Sequence, residues 1–95
     1  MMRDMPDSSC EVVLPDALLR LYPEAERRLA VSAADVGGLI DALDDRWPGM
    51  GACLRDSRPS VRKHISIMID GERGALETKI APGVTVYVLT AVSGG

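Results

Sequence analysis

The sequence predicts an α+β domain: one mixed sheet packed on a single main helix. Three observations carry this. Val36, Leu39, Ile40, Leu43 and Trp47 fall at i, i+3, i+4, i+7 and i+11, one face of a helix. Ile65, Ile67 and Ile69 alternate with Ser66, Met68 and Asp70, and Val84, Val86 and Val88 alternate with Thr85, Tyr87 and Leu89, the period of half-buried strands. Strand signals stand both before and after the helix, which implies two layers rather than a bundle or a sandwich.

A chain of 95 residues, 46% apolar and 26% charged, makes one globular domain with a core of modest size. It has no Phe, one Trp and two Tyr, so that core must be aliphatic. The formal net charge of -3 argues against a nucleic-acid partner bound through phosphate neutralisation. No apolar run approaches membrane-spanning length, and Met1 to Pro6 lacks the hydrophobic region of a signal peptide. The expected location is the cytoplasm, with no membrane partner. Cys10 and Cys53 lie far apart with no Cys-x-x-Cys between them; they read as two reduced thiols, a redox pair being the alternative. With His64 as the single histidine, no zinc-ligand spacing exists.

In chain order, residues 1–9 are polar and aperiodic and read as a flexible arm. Cys10 to Leu14 is the first strand, closed by Pro15-Asp16. Ala17 to Pro23 is either a helical turn or an irregular loop anchored by Leu18, Leu19 and Leu21. Glu26 to Ser32 is a second strand, at an edge or in a hairpin with the first. The helix spans Asp35 to Trp47, with Asp35 as N-cap and Pro48-Gly49 as its stop. Asp41, Asp44, Asp45 and Arg46 take its solvent side. Gly37-Gly38 in the first turn costs about 1 kcal/mol per Gly against Ala. Close backbone packing explains such a pair more simply than a phosphate loop, which needs a fuller glycine pattern.

Met50 to Asp56 reads as a short extra turn with Cys53 and Leu54 inward, and Ser57 to Ser60 as a loop. Arg55, Arg58, Arg62, Lys63 and His64 form a basic cluster, either a solvated loop or a docking patch for an acidic partner. No carboxylate or nucleophile stands near His64 in sequence, so it reads as non-catalytic. Asp70-Gly71 signals a tight turn, Gly74 to Ile80 is irregular, and Ala81-Pro82-Gly83 turns into the last strand. With the isoleucine and valine triplets facing the helix, Met68, Tyr87 and Leu89 remain on the outer face as a candidate contact patch.

The last strand runs into Thr90-Ala91-Val92-Ser93-Gly94-Gly95, small and uncharged. Two such glycines arise by chance in about 1 chain in 200, so they carry weight only on a scaffold that would present them. The order of elements before them supplies one. Strand, strand, helix, turn, strand, strand and Gly-Gly together resemble the β-grasp (ubiquitin-like) fold, and most of all the MoaD/ThiS family of sulfur carriers. The resemblance covers Cys10 to Gly95. It rests on Asp35-Val36-Gly37-Gly38-Leu39-Ile40, Ile67-Met68-Ile69-Asp70-Gly71, Ala81-Pro82-Gly83-Val84-Thr85-Val86 and Leu89-Thr90-Ala91-Val92-Ser93-Gly94-Gly95. Thr90 stands where the family often has Pro, and Val84 where it often has an acid.

The resemblance implies a carrier rather than an enzyme, built as an arm (1–9), a β-grasp domain (10–90) and a flexible tail (91–95). Gly94 and Gly95 would form the activated C-terminus, and Met68, Tyr87, Leu89 and Val92 would bind partners. One partner would be an adenylyltransferase of the ubiquitin-activating type, joining the Gly95 carboxylate to AMP; the other would be a sulfur-accepting synthase subunit. The AMP adduct and the thiocarboxylate would be transient covalent states, with no bound cofactor and no metal. The sulfur would serve molybdopterin, thiamine or cysteine synthesis. Alternatives within the resemblance are the small subunit of molybdopterin synthase, a protein modifier or a plain interaction module. The residues themselves offer no nucleophile with a base, no carboxylate pair and no metal cluster that the spacing supports, which ranks an independent enzyme last among the readings.

Overall fold

The computed structural model describes residues 9–55, 61 and 64–90. The arm up to residue 8, Asp56 to Ser60 with Arg58, then Arg62, Lys63 and the tail residues Val92, Gly94 and Gly95 lie outside the described residues.

Val12, Leu14, Leu29 and Val31 supply apolar side chains at every second position, and this alternation seats the first hairpin on the core. Strand β1 (Ser9–Val13) pairs antiparallel with β2 (Arg28–Ser32), matching Val12 with Leu29 and Cys10 with Val31. Between them, α1 (Asp16–Leu21) makes the ambiguous segment helical. Leu18 is buried there, but Leu21 is 65% exposed and is no anchor. Asp16 and Arg27 form an exposed ion pair from α1 to the start of β2, and this guanidinium holds the Asp16 carboxyl below the usual range.

Helix α2 (Val36–Arg46) buries Val36, Leu39, Ile40 and Leu43, and Trp47 is its C-cap. Its first turn explains the two glycines. Asp35 Oδ1 accepts from Gly38 N at 2.8 Å. Thr78 O and Leu76 O accept from Val36 N at 3.0 Å and Gly37 N at 2.9 Å. A Cβ on Gly37 would lie 3.4 Å from Leu76 O. The segment 75–80 therefore crosses the helix N-terminus closely, and its carbonyls take the amide donors that a phosphate would need.

One solvent-side assignment needs correction. Asp44 is half-buried, and its Oδ1 accepts from Gly49 N at 3.0 Å and Gly51 N at 2.9 Å. It binds the turn into α3 (Met50–Leu54), where Gly49 takes a left-handed φ of 100°. Sequence periodicity locates Asp44 on the polar side of the helix, but it cannot show that the chain folds back beneath it. In α3, Met50 and Leu54 are buried, while Cys53 is only half-buried.

Strand β3 (Ile65–Ile69) and β4 (Glu72–Gly74) form a hairpin across Asp70 and Gly71, with φ of 53° and 84°. Two successive positive φ values are what a two-residue hairpin loop requires. Glu72 to Gly74 carries no hydrophobic alternation, so β4 was not visible in sequence; the turn and the β3 edge create it. Strand β5 (Thr85–Thr90) completes the order β2-β1-β5-β3-β4. It runs parallel to β1 and antiparallel to β3, so the last strand lies at the centre of the sheet. Ile65, Ile67, Val86 and Val88 join Leu39, Ile40 and Leu43 in the single core.

Candidate functional site

The helices pack on one face of the sheet, and among the described residues the other face keeps Tyr87 and Leu89 exposed. Register places Met68 opposite Tyr87, and Tyr87 opposite Val13, so these three side chains stand in one row on the outer face. Leu89 follows two residues along β5, opposite Ser66. Tyr87 is 43% exposed and Leu89 45%, while Met68 and Val13 are half-buried. The alternation that seats Val86 and Val88 in the core forces their neighbours outward, as the sequence indicates. The structure brings Met68, Tyr87 and Leu89 together; Val92 lies outside the described residues. Thr90, the last described residue, pairs with Ile65.

Val13 is the apolar member that sequence reasoning missed. Val12, Val13 and Leu14 are three apolar residues in a row, and only pairing with β5 shows which one turns outward. The row also extends to the sheet edges: Val13 is matched with Arg28 on β2 and Met68 with Arg73 on β4. Both arginines are exposed. Arg28 reaches Glu11 Oε2 at 3.3 Å, and Thr85 Oγ1 donates to Glu11 Oε1 at 3.5 Å.

The remaining reactive groups stand elsewhere. His64 is exposed in the turn before β3. Arg55 is paired with Asp41. Of the basic cluster, Arg58, Arg62 and Lys63 lie outside the described residues. Both cysteines are free. Burial pushes the Cys10 thiol up, and Cys53 Sγ lies 3.6 Å from Gly49 O. Among the described residues, no three His, Cys, Asp or Glu side chains gather to hold a metal ion, and no helix is long and apolar enough to cross a membrane.

No protein-family model matches the chain, and no curated protein matches it significantly. Solved structures do. A chain of the Amycolatopsis orientalis BexX/CysO complex is 28% identical with a TM-score of 0.78, over 90% of this chain and 99% of that one. SAMP1 from Haloferax volcanii is 28% identical with a TM-score of 0.76, over 92% and 99%. Mycobacterium tuberculosis CysO is 27% identical with a TM-score of 0.77, over 87% and 99%. These neighbours are small ubiquitin-like carriers and modifiers rather than enzymes. Matched over nearly their whole length, the chain has the ubiquitin-like β-grasp fold of these proteins, the fold that its resemblance to the MoaD/ThiS family implies.

Proposed function

We propose that this protein is a sulfur carrier whose C-terminal Gly95 is adenylated and then converted to a thiocarboxylate. The observation that carries the reading is the central strand β5, which presents Tyr87 and Leu89 on an open apolar face and continues in sequence into Gly94-Gly95. The likeness to CysO supports it. That one matched chain was solved in a two-protein complex fits a protein that works with partners.

The chemistry suits such a terminus. A C-terminal carboxylate, with a reference pKa of about 3.3 to 3.7, is ionised at neutral pH and can attack the α-phosphorus of ATP, releasing pyrophosphate. An adenylyltransferase of the ubiquitin-activating type supplies the positioning and the charge stabilisation that phosphoryl chemistry demands. The terminal sulfur of a persulfide then bonds to the acyl carbon as AMP leaves. A thiol cleaves the resulting disulfide and frees the thiocarboxylate, which a synthase subunit consumes in molybdopterin, thiamine or cysteine synthesis in the cytoplasm. Glycine has no Cβ, so Gly94 and Gly95 fit a narrow channel. From Ala91 to Gly95 the extended tail reaches about 16 Å, at about 3.3 Å per residue.

Intact-mass analysis of the protein purified from its own host tests this. The expected result is a fraction in which one oxygen is replaced by sulfur at the C-terminus. A species that never gains sulfur, even with its adenylyltransferase and a persulfide donor present, overturns it. The likeness to SAMP1, whose name stands for small archaeal modifier protein 1, favours a second reading as a protein modifier. That reading predicts isopeptide-linked Gly95 on lysines of other proteins.

A further inference from the structure

The outer row of the sheet is apolar at its centre and cationic at both ends. Arg28, Val13, Tyr87, Met68 and Arg73 are successive register partners on β2, β1, β5, β3 and β4. Four interstrand steps of about 4.8 Å put the two arginine positions about 19 Å apart. The charge on this face runs against that of the chain. Its outward strand positions carry Arg28 and Arg73 against the one acid Glu11, with Asp70 exposed in the turn between β3 and β4, whereas the formal net charge of the whole chain is -3. The surplus acids stand elsewhere: Asp41, Asp44 and Asp45 on α2, Glu24 and Glu26 in the loop before β2, and Glu72, whose register partner Ile69 faces the core. The two arginines are not equivalent. Arg28 already holds Glu11, while Arg73 has no ion-pair partner among the described residues.

We infer that this face takes a protein partner whose contact surface is apolar at its centre and carries carboxylates at the rim that meets β4, with Arg73 as the residue that selects it. The inference rests on the carrier reading above and names the chemistry of the first partner. Charges at the rim of an apolar patch act on encounter rate and on discrimination between partners, and salt weakens them. An arginine matches a carboxylate with two parallel N–H donors, which lysine cannot do.

The test is ATP–pyrophosphate exchange by the ubiquitin-activating-type adenylyltransferase of the same organism, with the chain as the varied substrate. Arg73→Glu should raise the half-saturating concentration about tenfold or more at an unchanged plateau rate, and Arg73→Lys should recover only part of the loss. Arg28→Glu should have the smaller effect. The wild-type half-saturation should rise with salt, and that of Arg73→Glu should rise less. Arg20→Glu, on α1, makes the same change in net charge away from the sheet and should stay within about twofold of wild type. Saturation of Arg73→Glu at wild-type concentrations overturns the inference and leaves the carrier reading intact. An equal loss in Arg20→Glu also overturns it, because net charge alone would then explain the effect. No exchange with the wild-type chain overturns the carrier reading itself, and this inference with it.

Discussion

Leu89 tests the exposed face at the level of one side chain. It stands on the outer side of β5 at 45% exposure, so Leu89→Asp should keep its thermal melt close to wild type while blocking adenylation. Interface anchors of this kind cost about 1 to 4 kcal/mol of binding when truncated. A largely unfolded variant would place Leu89 in the core instead. Asp44 is the opposite case, a residue whose position looks expendable. By accepting from Gly49 N and Gly51 N it fixes the turn between α2 and α3. Asp44→Ala should cost about 1 to 2 kcal/mol in chemical denaturation, whereas Asp45→Ala should stay within about 0.5 kcal/mol. The two thiols should also separate. Cys53 should react with a maleimide in the native protein, and buried Cys10 only after unfolding, as read by intact mass. Burial favours the neutral thiol and raises folded Cys10 above the ordinary 9.0. Its contribution to stability is thus complete below that value and declines as pH rises through the folded pKa.

At the scale of elements, α2 and the segment crossing its start hold the domain together. Leu39 and Leu43 are fully buried against the sheet. Leu39→Ala or Leu43→Ala should cost about 2 to 5 kcal/mol, because each leaves a cavity that the sheet cannot close over. Against a total of about 5 to 15 kcal/mol for a domain, this loss should be plain in a urea melt. The helix N-terminus is secured twice, by Asp35 Oδ1 on Gly38 N and by the carbonyls of segment 75–80. Asp35→Ala should therefore cost about 1 kcal/mol, the usual loss of an N-cap, and leave the helix in place. The helix phase, its cap and its stop were legible because each depends on residues within a few positions. β4 and the crossing segment were not, since Glu72 to Ile80 has no period of its own and takes its shape from β3 and α2.

For the whole molecule, the proposed chemistry depends on how far the chain extends past Thr90. Adding one Ala after Gly95 leaves every native residue in place, moves the carboxylate by about 3.3 to 3.6 Å and adds a Cβ. A displacement of even 1 Å at a reacting centre can cost about 100-fold in rate. ATP–pyrophosphate exchange should therefore collapse for the extension and for deletion of Gly95, with circular dichroism unchanged in both. Equal exchange by all three chains would make the Gly-Gly end incidental and leave an interaction module.

The α+β class, the inward and outward faces of β3 and β5, the apolar stripe of α2 and the resemblance to a carrier are all readable from the order of the amino acids. Each of these is written in a local period, or in residues contiguous along the chain. That Val13 stands beside Tyr87, that Arg28 and Arg73 end the same row, and that Asp44 fastens α3 emerges from the folded chain alone. Those facts join residues from separate elements. They follow from strand register and chain reversal, which backbone hydrogen bonding across the sheet fixes and no single stretch of sequence contains.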